Sequence, residues 1–105
     1  MAYRIRRVDK NQSQIVKKLR SLGARVLVLS DVGNGVPDIL VGILRPNKPP
    51  FLHLIEIKNG DLCNSAQKLT KDEQKFHEEW LEFVTVINSV DGVVDFMEKA
   101  LTGCV

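Results

Sequence analysis

The chain has 105 residues, of which 44% are hydrophobic and 27% are charged, and its formal net charge is +2. This composition excludes the disordered and collagenous classes, and no apolar run approaches the roughly 20 residues of a membrane-spanning helix, so no membrane partner is expected. A chain of this length is expected to fold as a single domain, residues 1–105, around one hydrophobic core.

The N-terminal quarter carries most of the positive charge. Eight of the 15 basic residues fall within the first 25 positions, against the single acid Asp9. Such a surface can attract a polyanion because neutralised phosphates release counterions, but a solvated helix face without a partner explains the charges equally well. No apolar segment follows the basic start, so no secretory signal is expected. Cys63 and Cys104 are interpreted as free thiols of a reducing cytoplasm.

The first half of the chain predicts one helix followed by three strands. Within residues 11–22, apolar side chains recur on one helical stripe, and Gly23 is placed to end the helix. The runs ARVLVLS, PDILVGIL and FLHLIEIK each have the composition of a short strand. Because the connection RPNKPP is short, the second and third strands are predicted to form an antiparallel hairpin.

The second half predicts a helix, a strand and a last helix. Thr70 and Glu73 have the spacing of a capping box, and Phe76, Trp80 and Phe83 form an apolar stripe behind it. FVTVINS is predicted to be the fourth strand, and the apolar spacing of residues 90–101 predicts the last helix. The order αβββαβα therefore predicts an α/β fold with a mixed four-stranded sheet flanked by helices.

Charged residues on two adjacent strands point to a function. Glu56 and Lys58 share one strand face, and Asp38 falls beside Glu56 if the two strands pair as a hairpin. Charges within a sheet are costly unless they are paired or bound to a metal. Two carboxylates suit Mg²⁺ or Mn²⁺, which polarises a phosphoryl oxygen and acidifies water. We therefore expect phosphodiester hydrolysis, although an isolated E-x-K triplet is more often structural.

Four blocks of the sequence together resemble one nuclease family. NQSQIVKKLRSLGARV, GVPDILVG, LIEIKNG and LTKDEQKFHEEW are similar in order and spacing to the virus-type replication-repair nucleases (VRR-NUC) of the PD-(D/E)XK superfamily. The resemblance covers nearly the whole chain and implies a restriction-endonuclease-like core. It also implies a metal-dependent endodeoxyribonuclease, structure-selective on branched DNA such as Holliday junctions, that works as a homodimer in the cytoplasm of a bacterial or phage-infected cell.

The resemblance assigns roles to individual residues. It implies that Asp38 and Glu56 bind Mg²⁺ or Mn²⁺, that the backbone carbonyl of Ile57 adds a ligand, and that Lys58 is the catalytic lysine. Gln74 matches a family glutamine near the active site. The basic residues expected to bind DNA are Arg4, Arg6, Arg7, Lys10, Lys17 and Lys18.

One departure from the family pattern leaves alternatives open. A first-helix glutamate that contributes to the metal site matches Gln14 here, and a neutral amide is expected to bind a cation more weakly. The chain could therefore be a weakened DNA-binding or assembly module that keeps the nuclease fold. A second alternative is a nuclease subunit of a larger repair or phage complex.

Other candidate residues are expected to be structural. His53 lies on the strand face opposite Glu56, which predicts a core histidine. His77 has charged neighbours on its helix and is expected to face solvent. Trp80 and Phe76 are expected to belong to the core and not to a base-stacking platform.

Overall fold

The computed structural model describes residues 10–59 and 68–103, which form three α-helices and four strands in the predicted order αβββαβα. Among the described helices, none combines the length and the apolar character that a membrane span requires. Arg4, Arg6, Arg7, Cys63 and Cys104 lie outside these ranges. The elements are α1 (Lys10–Ser21), β1 (Arg25–Val28), β2 (Ile39–Arg45), β3 (Lys48–Ile57), α2 (Lys71–Glu79), β4 (Val84–Ile87) and α3 (Val90–Thr102).

The four strands form one mixed sheet in the order β1-β2-β3-β4. β1 pairs antiparallel with β2, and β2 pairs antiparallel with β3, so the predicted hairpin is confirmed. β4 returns parallel to β3 after the crossover through α2 and a 3₁₀ turn at Leu81–Phe83. The α/β class and the mixed four-stranded sheet are therefore as predicted.

The hairpin turn is tighter than the sequence predicts. Arg45 pairs with Lys48, which leaves a two-residue turn whose second residue, Asn47, has φ 58°. Pro49 and Pro50 consequently lie inside β3 and not in a loop. β4 pairs only with residues 54–57 of β3. Among the described strands, none therefore pairs with this edge of β3 at the two prolines, which lack a backbone N–H to donate.

The hydrophobic core lies on one face of the sheet, under α1 and α3. Odd-numbered residues of β2 and β3 point to this face, and His53 is among them, as predicted. His53 Nε2 lies 2.7 Å from Thr85 Oγ1, and burial lowers the pKa of this histidine. The largest fully buried side chains of the core are Ile15, Leu19, Ile39, Val41, Ile55 and Val93.

The opposite face of the sheet is only partly covered. Leu52 is 67% exposed and lines, with Leu54, Trp80 and Phe83, a shallow cavity of about 190 Å³. Trp80 stacks on Phe76 at a centroid distance of 5.6 Å, yet it is 44% exposed, so the prediction of a core position for Trp80 is wrong. Trp80 directly follows α2, a helix of only nine residues, none of which is buried.

Candidate functional site

Asp38 is held at the start of β2, beside Glu56. Ile39 pairs with Ile55, and continuing this antiparallel register by one residue places Asp38 opposite Glu56, as predicted. Asp38 Oδ2 accepts a hydrogen bond of 2.7 Å from the backbone N–H of Ile57, and its carbonyl accepts one of 2.7 Å from Leu29. Both the backbone and the carboxylate of Asp38 are therefore fixed by neighbouring strands.

Glu56 is the most deeply buried charged group of the site. It is 2% exposed, and Oε1 has no hydrogen-bond partner among the described residues. Burial, a hydrogen bond with Asp38 and the charges of Asp38 and Glu73 raise the pKa of Glu56 to about 10, against the opposing effect of Lys58. In the absence of a cation, the Glu56 carboxyl is therefore protonated at neutral pH.

Lys58 follows the end of β3 and is fixed at both its backbone and its side chain. Its backbone N–H donates to the Ile87 carbonyl at 3.1 Å, and its carbonyl accepts from Asn11 Nδ2 at 2.7 Å. Its Nζ lies 2.8 Å from Glu73 Oε1. The first turn of α1 and the first turn of α2 thus both contribute to the placement of Lys58.

A capping box fixes the first turn of α2 beside the site, and this capping box is as predicted. The backbone N–H of Glu73 donates to Thr70 Oγ1 at 3.2 Å, and the backbone N–H of Thr70 donates to Glu73 Oε1 at 2.8 Å. A Cβ at Gly35, whose φ is +80°, would overlap the backbone carbonyl of Asp72. The loop before Asp38 and the N-terminus of α2 therefore approach each other so closely that only glycine fits.

Glu73 is charged in this arrangement although it is half-buried. Burial raises the pKa of Glu73, but the hydrogen bonds from the Lys58 ammonium and the Thr70 N–H outweigh it and hold the pKa below its ordinary value. Sequence analysis identified Glu73 only as a capping residue. Its contact with Lys58 carries no sequence signal, because the two residues are 15 positions apart and belong to different elements.

His77 lies one helical turn after Glu73 and is half-buried. Its Nε2 is buried and has no hydrogen-bond partner among the described residues, and burial lowers the pKa of the ring. The expectation that His77 faces solvent is therefore wrong. Its charged sequence neighbours Lys75, Glu78 and Glu79 are exposed.

Two glutamines expected near the site have exposed side chains. Gln74 lines a shallow cavity with Leu69 and His77, and the inward position is taken by its neighbour Glu73. Gln14 is exposed on α1, where the buried glutamine is Gln12. Gln12 Nε2 donates to Ser30 Oγ at 3.2 Å, close to the point where β1 pairs with the residues before β2.

The basic residues expected to bind DNA are only partly described. Lys10 begins α1, Lys17 is exposed and Lys18 is half-buried. Lys17 and Arg20 line a groove of about 350 Å³ between α1 and β1, whose floor includes Val16. The groove also contains Gln12, Ser13 and Val28.

The residues present fit a divalent cation, which Glu56 Oε1 could bind. This oxygen is buried and has no donor among the described residues, and such an acceptor is costly unless a ligand interacts with it. Within residues 10–59 and 68–103, no group of three or more His, Cys, Asp or Glu side chains forms a metal site by itself. Mg²⁺ commonly takes one or two protein carboxylates, with water and phosphate oxygens as the other ligands. Asp38 and Glu56 supply that number, and Ile57, between Glu56 and Lys58, is buried.

Comparison of the chain with protein-family models, with curated proteins and with solved structures finds no match.

Proposed function

We propose that this chain is a Mg²⁺- or Mn²⁺-dependent endodeoxyribonuclease with a PD-(D/E)XK core, related to the VRR-NUC family and acting in the cytoplasm. The observation that carries the proposal is the pairing of Asp38 with the buried Glu56, two residues before Lys58; Glu56 Oε1 has no donor among the described residues. Ordinary structural carboxylates at strand ends are solvated or fully hydrogen-bonded. A half-satisfied carboxyl pair beside an ammonium indicates a site that is completed by a ligand.

The residues of the site have distinct roles in this proposal. Asp38 and Glu56 would hold the cation, and the Ile57 carbonyl is a further candidate ligand. The metal, when bound, supplies polarisation of the phosphodiester and a lowered pKa of water. Lys58 places a positive charge where negative charge develops on the scissile phosphate. Gln74 is exposed on α2 beside His77, and its proposed role is contact with the DNA backbone.

The DNA is proposed to approach along α1, where Lys17 and Arg20 flank the groove beside β1. Cations at such positions bind phosphates without reading sequence. A preference for branched DNA is proposed from the family resemblance. The prediction for the DNA-binding residues Arg4, Arg6 and Arg7 stays open, since they lie outside the described residues.

A homodimer is proposed through the open face of the sheet. Leu27, Leu52, Trp80 and Phe83 are each between 44% and 67% exposed there. Grouped apolar side chains of this kind are what the core of a homodimer interface of about 800 Å² per partner typically buries. Sedimentation should give a dimer for the wild-type chain and a monomer for Leu52→Arg. A monomeric wild-type chain at micromolar concentration would contradict this part of the proposal.

The nuclease proposal is tested by incubating labelled linear, flap and four-way-junction DNA with the chain and Mn²⁺ or Mg²⁺. We expect cleavage of the junction that is lost in Lys58→Ala and in Glu56→Gln. Glu98→Gln makes the same chemical change at an exposed position of α3 and should cut normally. Absence of cleavage by the wild-type chain on every substrate would reject an autonomous nuclease.

A DNA-binding module without catalysis is the second candidate, and the neutral side chain of Gln12 at the inward position of α1 favours it. Gln12→Glu and Gln14→Glu separate the candidates. If the first helix lacks only a charged ligand, cleavage should rise in the variant whose side chain faces the site. DNA binding without cleavage in both variants would support the binding module. Cleavage that appears only with an added helicase or repair partner would support a nuclease subunit.

A further inference from the structure

The Lys58 side chain is already engaged in the resting site. Its Nζ lies 2.8 Å from Glu73 Oε1, and only 13% of the Lys58 side chain and 18% of the Glu73 side chain are exposed. The pair joins the end of β3 to the first turn of α2. Neither cation binding by Asp38 and Glu56 nor hydrolysis requires a carboxylate at this position, so the contact needs its own explanation.

Glu73 is fixed independently of Lys58. The same oxygen, Oε1, accepts the backbone N–H of Thr70 at 2.8 Å, and the Glu73 N–H donates to Thr70 Oγ1. The backbone of Asp72 lies against Gly35, which prevents the turn from moving toward the loop before Asp38. The carboxylate is therefore held in place, whereas a lysine on its flexible four-carbon chain loses rotamer entropy when it is ordered.

We propose that Glu73 is a positioning residue that holds the Lys58 ammonium beside the Asp38–Glu56 pair, so that the lysine is ordered before DNA binds. The inference rests on the proposed nuclease function and deepens it, because it assigns the orientation of the lysine to the capping box of α2. Glu73 does not itself contact the phosphate. Its loss should therefore lower kcat and leave the affinity for DNA nearly unchanged.

Glu73→Gln is the informative variant. Glutamine also serves at the third position of a capping box, so this variant keeps the start of α2 and removes the charge that attracts Lys58. Glu78→Gln is the matched control because it makes the same change on the same helix at an exposed position. A purely structural role for Glu73 predicts that both variants have the kcat of the wild-type chain.

We expect the kcat of Glu73→Gln on junction DNA to fall about tenfold, with KM within about twofold of wild type, and Glu78→Gln to keep the wild-type kcat. Equal kcat values for the two variants would overturn the inference while leaving the nuclease proposal intact. If the wild-type chain cuts no DNA, the nuclease proposal fails and the role of Glu73 fails with it.

A double-mutant cycle in Tm tests the contact without any catalysis. Lys58→Met should lower the Tm of the wild-type chain, because it leaves the Glu73 carboxylate without its cation. The same substitution should change the Tm much less in the Glu73→Gln background. Additive Tm shifts in the cycle would show that the two side chains do not interact, and would overturn the inference.

Discussion

One face of the sheet packs against α1 and α3 and is almost entirely apolar. The other face carries charged groups at the start of β2 and the end of β3, and half-exposed apolar residues farther along the strands. On the packed face, Ile39, Val41 and Ile55 are fully buried. On the other, Glu56 is buried with an oxygen that has no partner in the described part of the chain, and Leu52 is mostly exposed. The stability of the fold thus comes chiefly from one face, and the groups available for ligands lie on the other.

The comparison is tested most strongly by truncating one residue of β3 on each face. Ile55→Ala should lower the free energy of unfolding by about 2–5 kcal/mol, because it opens a cavity in a fully packed region. Leu52→Ala should change it by about 0.5 kcal/mol or less in the monomer, since that side chain is mostly in solvent. Urea denaturation at a protein concentration low enough to keep the chain monomeric measures both. Similar losses for the two variants would contradict the assignment of stability to one face.

Close packing of the loop before Asp38 against α2 can be broken by adding one methyl group. Gly35→Ala should lower the free energy of unfolding by about 2–3 kcal/mol, because it combines a positive φ with an overlap at the Asp72 carbonyl. Gly33→Ala has a similar φ, +76°, with no atom within 4 Å of the added carbon, and should lose only about 1 kcal/mol. Thermal denaturation of the two variants isolates the overlap, and equal losses would exclude it.

Because Glu56 is buried, replacing it with its neutral analogue glutamine is predicted to raise the free energy of unfolding by an amount that depends on pH. The pKa of Glu56 is about 10 in the folded chain and near the ordinary value of 4.5 in the unfolded chain. Between these values the folded state binds more protons, so this residue's contribution to stability falls as the pH rises from about 4.5 to about 10. Glu56→Gln should therefore stabilise the metal-free chain by about 1–3 kcal/mol at pH 8, and by little at pH 4.5.

This gain is measured by urea denaturation in EDTA at both pH values, with Glu98→Gln as the exposed control. A loss of stability in Glu56→Gln at pH 8 would mean that the carboxylate is ionised and paired in the folded chain. A gain of stability would separate stability from function, because the same substitution is expected to abolish cleavage.

The smallest expected effects come from the helix caps. Thr70 caps α2 and Ser89 caps α3, and each accepts a backbone N–H through its side chain. Ser89→Ala should lower the global free energy of unfolding by about 1 kcal/mol, since α3 belongs to the core. Thr70→Ala should act mainly on α2, which has no buried residue, and should appear as faster hydrogen exchange there. A larger global loss in Thr70→Ala than in Ser89→Ala would contradict this difference.

Much of the architecture could be predicted from the sequence. The capping box at Thr70, the hairpin of β2 and β3, the core position of His53 and the juxtaposition of Asp38 with Glu56 depend on spacing within single elements or on one short connection. The misplaced residues lie on or next to helices, apart from Pro49 and Pro50, which belong to β3. Trp80 is more exposed and His77 more buried than the sequence predicts, and Gln14 is exposed on a helix whose buried glutamine is Gln12.

The sequence by itself therefore determined the order of the elements. It also determined which carboxylates meet where β2 begins and β3 ends, because strand alternation and hairpin register are set by local spacing. Only the tertiary structure decided that Glu73 reaches Lys58 and that Asn11 holds the Lys58 carbonyl. These contacts depend on how each helix is rotated against the sheet. One residue along a helix turns the side chain by about 100°, so spacing alone does not fix which neighbour faces the site.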